Sequence, residues 1–433
     1  MPQPHPSTLV RARIDLGAIE HNVRTLAARV APARLMSVVK ADAYGHGLLP
    51  VVDACRAAGV TDLGVATVPE ALTLTDHLGV DPDTRAERVL CWLHDPDTDL
   101  TECVARGVEL GIGAPEALPG LVTAARSAGR TARIHLKVDT GLGRNGLTPD
   151  QLGAVLDGLT VSDGPTAAGM PGQGASAAES GDGTTHVQVV GVMTHLAVAD
   201  ETDHPVTDEQ VRALDVAADR VRVALEAAGG VLGDPAALEV HCANSPAALS
   251  LDPVPGTMAR VGLSTYGLSP FAGVAPAELG LVPALTLHST VLAVKEAPAG
   301  HGASYGLVYR APCDTRFALV AGGYADGIPR SSSTHGQVLI RGRRYRQVGK
   351  VAMDQVVVDL GAPLPDGSVA SAEEIARVEV GDPVVLIGRG GDTGPSAEEW
   401  GDWSGTVNYE IVTRLGERVR REYVRSESEG VGR

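Results

Sequence analysis

The run LMSVVK (residues 35–40) opens the series that decides the fold, because seven more β-rich runs follow it, separated by longer segments. They are DLGVATV (62–68), RVLCWL (88–93), VELGIG (108–113), ARIHLKVD (132–139), VVGVMTH (189–195), ALEVHCAN (237–244) and ARVGLSTYG (259–267). All are short and rich in apolar or β-branched residues, as strands of a buried parallel sheet are. Between them, segments such as PVVDACRAAG (50–59) and TDEQVRALDVAADRVRVALEAAGG (207–230) repeat apolar residues at helical spacing and end in glycine. Eight strand–helix units predict an α/β fold, a TIM (β/α)8 barrel. Upstream, RIDLGAIEHNVRTLAARV (13–30) places Ile19, Val23, Leu26 and Val30 on one stripe, which predicts a helix packed on the barrel or capping it.

Downstream of about residue 282 the texture changes to HSTVLAVKEA (288–297), TRFALVAGGYADG (315–327) and RVEVGDPVVLIG (377–388), punctuated by Gly and Pro. A mostly β C-terminal domain follows from that pattern. The expected division is a barrel over 14–281 and a β-rich domain over 282–433, joined by the 1–13 segment. The stretch 161–187, rich in Gly, Ala and Ser with few large apolar residues, reads as a flexible insertion in the barrel.

A formal charge of −17, spread along 433 residues, argues against nucleic acid or an anionic membrane as partner. Five cysteines, odd in number and without a CxxC pair, suggest neither a disulfide framework nor a metal site. No signal-like or membrane-length apolar run is present, so a cytoplasmic protein is expected.

Barrel enzymes react at the C-terminal ends of their strands. Polar residues ending the runs here are Lys40, Trp92 in the third, Lys137 and Asp139 with Arg144 just beyond, His195, Asn244 and Ser245, and Arg260. Lys40 follows a buried run, so desolvation suits it to Schiff-base chemistry, although a barrel-top lysine paired to a carboxylate has the same signature. Ser245 is equally readable as a helix N-cap ahead of Pro246. Arg260 is readable as a salt bridge between domains, Trp92 as core, His195 as structural and Tyr305 as strand packing.

Nine motifs change that balance: VVKADAYGHG (38–47), LKVDTGLGRNG (136–146), MTHLAVADE (193–201), HCANSPAAL (241–249), ARVGLSTYGL (259–268), ASYGLVY (303–309), GGYADG (322–327), VGKVAMDQVVVDL (348–360) and VNYEIVTRLGERVRR (407–421). In this order they resemble the bacterial, fold-type III alanine racemases over about residues 11–425. The resemblance implies an isomerase that uses pyridoxal 5'-phosphate (PLP) and forms a homodimer with shared active sites. It makes Lys40 the lysine that anchors PLP and, once alanine has formed the external aldimine, one of two acid/base groups. The second is Tyr305, reaching the site of the opposite subunit.

The same resemblance places Tyr44, Ser245, the backbone of Gly262 and Leu263, and Tyr409 around the phosphate. Trp92 and Asn244 lie near the cofactor, and Arg260 donates to its pyridine nitrogen with His195 hydrogen-bonded to that arginine. An arginine keeps its proton, so the ring is a weaker electron sink and racemisation is favoured over side reactions. Arg144 and the backbone of Met353 from the partner chain would grip the substrate carboxylate. Lys137 matches a position that is often carbamylated, with Asp139 or Asp354 as alternative sources of charge balance. Tyr324, Tyr409 and Met353 would narrow the entry to alanine's size. The implied role is D-alanine supply for peptidoglycan. A serine or broader-specificity racemase of the same fold, and a PLP carrier without turnover, are the competing readings.

Overall fold

In the computed structural model, which describes residues 7–162 and 186–426, Asp15 sets the first helix. Its carboxylate accepts from the N–H groups of Gly17 (3.0 Å) and Ala18 (3.3 Å), satisfying donors that a helix start leaves free. The helix runs Leu16–Val30, and Ile19, Val23, Leu26 and Val30 are all buried. Ahead of it lies β1 (Ser7–Asp15).

The barrel strands are β2 (Arg34–Val38), β3 (Asp62–Thr67), β4 (Arg88–Leu93), β5 (Glu109–Ile112), β6 (Ala132–Lys137), β7 (Val187–Met193), β8 (Glu239–His241) and β9 (Met258–Val261). Every run identified in the sequence overlaps one of them. All neighbouring pairs are parallel, in the order β8-β7-β6-β5-β4-β3-β2-β9. Closure comes from Thr257 N–H donating to Val240 O (2.7 Å) and Arg260 N–H donating to Ala243 O (2.8 Å). The sheet is a TIM barrel. Its strands are buried on both faces because helices cover the outside and side chains fill the inside.

Met36, Leu90, Met193 and Met258 form one interior cluster, with Trp92 packed against it. Gly111 is required there: a Cβ on it would lie 2.6 Å from Met193 Cε and 2.7 Å from Trp92 Cβ. Outside, the helix Leu16–Val30 packs against Leu48–Ala57, which follows β2, and Ser245–Ser250, which follows β8. Since β9 lies beside β2 and is followed only by a short turn of helix, the N-terminal helix fills the place of the eighth outer helix. The expected 161–187 insertion falls, apart from its ends, on residues 163–185, which lie outside the described residues. The helix Pro149–Ser162 precedes it and β7 follows it.

The C-terminal sheet contains β10 (Leu285–Ala297), β13 (Thr315–Ala321), β14 (Gln337–Ile340), β15 (Arg343–Val348), β16 (Gln355–Asp359), β17 (Pro383–Ile387) and β18 (Val419–Val424). A two-stranded ribbon, β11 (Gly302–Ala303) with β12 (Tyr309–Arg310), projects from it. Strand order is β13-β16-β15-β14-β17-β10-β1-β18, and the long β10 also pairs with β13, so the sheet curls on itself. β1 thus joins the second sheet, antiparallel to β10 and parallel to β18. Trp400, fully buried, anchors this layer by donating to Leu386 O at 2.6 Å. The helix Asn408–Thr413 reaches the barrel mouth, where Asn408 Nδ2 donates to Ser269 O (2.8 Å). Among the described residues, no helix is long and apolar enough to cross a membrane.

Candidate active site

After β2 the chain enters a left-handed turn. Ala41, Asp42, Ala43 and Tyr44 all have φ between 52° and 54°, a conformation that costs L-residues about 1–2 kcal/mol each. Hydrogen bonds hold it: Ala43 N–H to Val39 O (2.9 Å), Gly45 N–H to Ala41 O (3.0 Å), Leu48 N–H to Asp42 Oδ1 (2.7 Å) and Ala41 N–H to Glu70 Oε1 (2.7 Å). Glu70 also accepts from Ala66 (3.0 Å) and Thr67 (2.9 Å), so one carboxylate ties the ends of β2 and β3 together. The turn leaves Lys40 at the mouth and buries Tyr44 against Tyr266, ring centroids 4.8 Å apart. Tyr266 in turn donates to Val38 O (2.9 Å) and stacks on His46, which burial holds neutral by pushing its pKa down to about 4.

A cavity of about 400 Å³ opens at the C-terminal end of the barrel. Lys40, Tyr44, Trp92, Lys137, Arg144 and His195 line one part of it; Asn244, Ser245, Arg260, Gly262, Leu263 and Tyr409 line the rest. All were singled out in the sequence. Val38, Met193 and Thr413 also line it and were not. Trp92 does both things weighed for it, packing on the interior methionines and facing the cavity. Ser245 is not the N-cap: Asn244 is, with its Oδ1 accepting from Ala247 N–H at 3.2 Å, while the Ser245 hydroxyl oxygen accepts from Ser264 N–H at 3.4 Å and keeps its own proton to donate.

The lining is cationic and, among the described residues, contains no carboxylate. Burial lowers the Lys40 amine, Arg144 and Arg260 add to the effect, and Glu70 opposes it. For Lys137, burial followed by Arg144 and Arg260 brings the value down to about 8. Burial, then Arg260 and Arg144, push His195 to about 3, so its ring is neutral. Burial raises the phenols of Tyr44 and Tyr409, the latter to about 12, and Asp200 contributes to Tyr409. Among the described residues, neither Lys40 nor Lys137 has a carboxylate at ion-pair distance; Asp354 pairs with Arg418 (2.8 Å), and Asp139 shapes the Arg144 loop by accepting from Gly141 (2.9 Å) and Gly143 (3.2 Å).

Arg260 departs from expectation. It donates from Nη2 to Thr194 O (2.6 Å) and from Nη1 to His241 O (2.7 Å) and His241 Nδ1 (3.1 Å). The histidine bonded to it is therefore His241, which points inward from β8, and not His195, which lines the cavity from the loop after β7. Nor does it bridge the domains, since both partners belong to the barrel.

Tyr305, Tyr324 and Met353 do not join this cavity within one chain. They are 69%, 40% and 52% exposed on the C-terminal domain, and Leu307 and Val308 beside Tyr305 are exposed as well. Such an apolar outer face is what a subunit contact covers.

Comparison with known proteins agrees with this architecture. Residues 14–270 match the family model for the alanine racemase N-terminal domain and residues 284–423 that for the C-terminal domain. Alanine racemase of Beutenbergia cavernae is 43% identical over 415 residues, covering 96% of this chain and 97% of that one. The crystal structure of alanine racemase from D-cycloserine-producing Streptomyces lavendulae superposes with a TM-score of 0.81 at 41% identity, covering 97% and 98% of the two chains. That of Streptomyces coelicolor gives 0.83 at 38%, covering 96% and 98%. In both domains and over nearly its whole length, the chain belongs to the alanine racemase family, enzymes that interconvert the enantiomers of alanine.

Proposed function

We propose that the chain racemises alanine by a two-base route in a homodimer, with Lys40 serving one face of the substrate Cα and Tyr305 of the partner subunit the other. The observation that carries this reading is a cavity with a half-buried lysine that, among the described residues, has no carboxylate partner. Within one subunit His195 is pushed to about 3, Tyr44 and Tyr409 are raised, Arg144 and Arg260 are arginines, and Lys137, the remaining amine, is taken up by the carbamate described below. With Lys137 so assigned, the second base comes from outside, and Tyr305 is an exposed phenol with an apolar rim around it.

The family depends on PLP, and the residues present fit it. Hydroxyls of Tyr44, Ser245 and Tyr409 converge with the backbone of Gly262 and Leu263, donors suited to a phosphate. Gly262 is needed for this cradle, because a Cβ would lie 2.2 Å from Tyr44 Oη. Bound PLP supplies an electron-withdrawing ring conjugated to the substrate nitrogen, which acidifies the Cα proton. Lys40 would anchor it, and Arg260 would face the ring nitrogen as a donor that keeps its own proton. Arg144, with the backbone N–H of Met353 of the partner subunit, would hold the substrate carboxylate.

Lys137, neutral in part near pH 8, is suited to add carbon dioxide: an N–C bond forms, a proton leaves and a carbamate stands between Arg144 and Arg260. Tyr409, with Tyr324 of the partner subunit, would narrow the pocket, favouring a methyl side chain by about 1–3 kcal/mol per added methylene. The product D-alanine would supply peptidoglycan, and the enzyme would work in the cytoplasm.

Mixed dimers test the shared site. Lys40→Ala and Tyr305→Phe are each expected to be inactive alone. Mixed at equal amounts with subunit exchange, half of the dimers contain one intact site, so about a quarter of wild-type activity returns. No recovery despite proven exchange contradicts the shared site.

A further inference from the structure

Below the cavity a line of polar side chains crosses the barrel interior. His241 Nδ1 meets Arg260 Nη1 at 3.1 Å, His241 Nε2 meets His135 Nδ1 at 2.9 Å, and His135 Nε2 meets Glu109 Oε2 at 2.9 Å. All four residues are buried, the two histidines completely. At the lower end Arg88 and Arg133 donate to Glu109 (2.7 and 3.0 Å), while Arg88 and Arg34 pair with Glu239. Glu109, His135 and Glu239 are close enough to suggest a metal site, but guanidinium groups occupy the carboxylates and both nitrogens of His135 are engaged.

The direction of every bond in this line follows from its ends. A guanidinium only donates and a carboxylate only accepts. His241 must therefore accept at Nδ1 and carry its proton on Nε2. His135 must then accept at Nδ1 and donate from Nε2 to Glu109. A proton on Nδ1 of His241, or on both nitrogens of His135, would set N–H against N–H within the line.

We infer that Glu109 is a positioning residue that fixes the tautomers of His135 and His241 and so supplies the neutral acceptor that holds Arg260 in place in the cavity wall. The inference rests on the proposed function only for what Arg260 faces. Burial alone would raise the Glu109 carboxyl, but its bonds from His135 and Arg88 outweigh that and hold it below the usual carboxylate range. Burial and Arg260 keep His241 well below an ordinary histidine. Burial lowers Arg260 only to about 10. At neutral pH the line thus has its charges at its two ends, with His241 neutral beside the arginine.

Histidine tautomers are directly readable by two-bond 15N–1H NMR on ring-15N-labelled protein, with and without PLP. Substitution of His241 by Asn assigns the resonances. In the wild type both rings are expected as neutral Nε2–H forms, as the bond directions require. In Glu109→Gln the amide can donate to His135 Nε2 as well as accept from it, so the Nε2–H forms are no longer enforced; the reversed form sets His241 Nδ1–H against Arg260, the arginine shifts, and the 15N resonance of the labelled cofactor's ring nitrogen moves. Turnover is expected to fall about tenfold with KM for alanine little changed, which marks a loss confined to the transition state. A wild-type Nδ1–H or imidazolium form at either ring overturns the inference, as do unchanged tautomers in folded Glu109→Gln. If that variant does not fold, the wild-type spectrum decides alone. Failure to bind PLP would instead sink the proposed function, while the tautomers of the cofactor-free chain remain measurable.

Discussion

Lys137 offers the sharpest energetic prediction, through removal and return of carbon dioxide. Burial and two arginines bring its amine from 10.5 to about 8, which at neutral pH corresponds to a penalty of about 3 kcal/mol on the folded, unmodified chain. The sign follows from proton linkage. The folded state binds this proton less tightly than the unfolded one, so the penalty is complete below about pH 8 and disappears as pH rises toward 10.5. Carbon dioxide-free protein is therefore expected to gain stability over that interval.

A carbamate removes the cation and adds an anion beside Arg144 and Arg260. Bicarbonate at pH 7 is then expected to stabilise the wild type by up to about 3 kcal/mol, read as a shift in the urea midpoint. Lys137→Met, which lacks the amine, should show no bicarbonate effect. An equal shift in that variant, or none in the wild type, would refute the reasoning.

Gly262→Ala is expected to weaken PLP binding at least tenfold without changing the far-ultraviolet spectrum, because its Cβ would meet Tyr44 Oη at 2.2 Å; absorbance titration checks it, and unchanged affinity counts against the cradle. Glu70→Ala removes three backbone bonds and should cost about 2–4 kcal/mol in urea unfolding, with faster amide exchange at Ala41–Gly45. A change below about 0.5 kcal/mol would mean that the left-handed turn holds without it.

Much of the fold was legible because the barrel strands are continuous apolar runs at regular intervals, and strand ends of a barrel must converge. That geometry, with the motif resemblance, explains why Lys40, Lys137, His195, Ser245 and Arg260 were found together from sequence. The left-handed turn was not legible: Ala and Tyr disfavour that conformation, and it is held by bonds within residues 39–48 together with the tertiary one from Ala41 to Glu70. His241 was passed over because the resemblance assigned the arginine to His195, which ends its run, whereas His241 lies inside one and its side chain points into the barrel. A signal did exist: Arg88, Glu109, His135, Glu239 and His241 are polar residues within runs that are otherwise apolar, and buried polar groups need partners. Reading them as one set would have suggested the line through the barrel. Tyr305, Tyr324 and Met353 were reached only through resemblance, since none of them lines the barrel-mouth cavity of its own subunit.

Exchange of the substrate α-proton tests the central claim most directly. Purified protein with PLP and L-alanine in D2O, followed by proton NMR alongside a chiral assay, is predicted to lose the α-proton signal and to form D-alanine, with Lys40→Ala abolishing both. Protein that binds PLP yet neither exchanges the proton nor forms D-alanine would contradict the account.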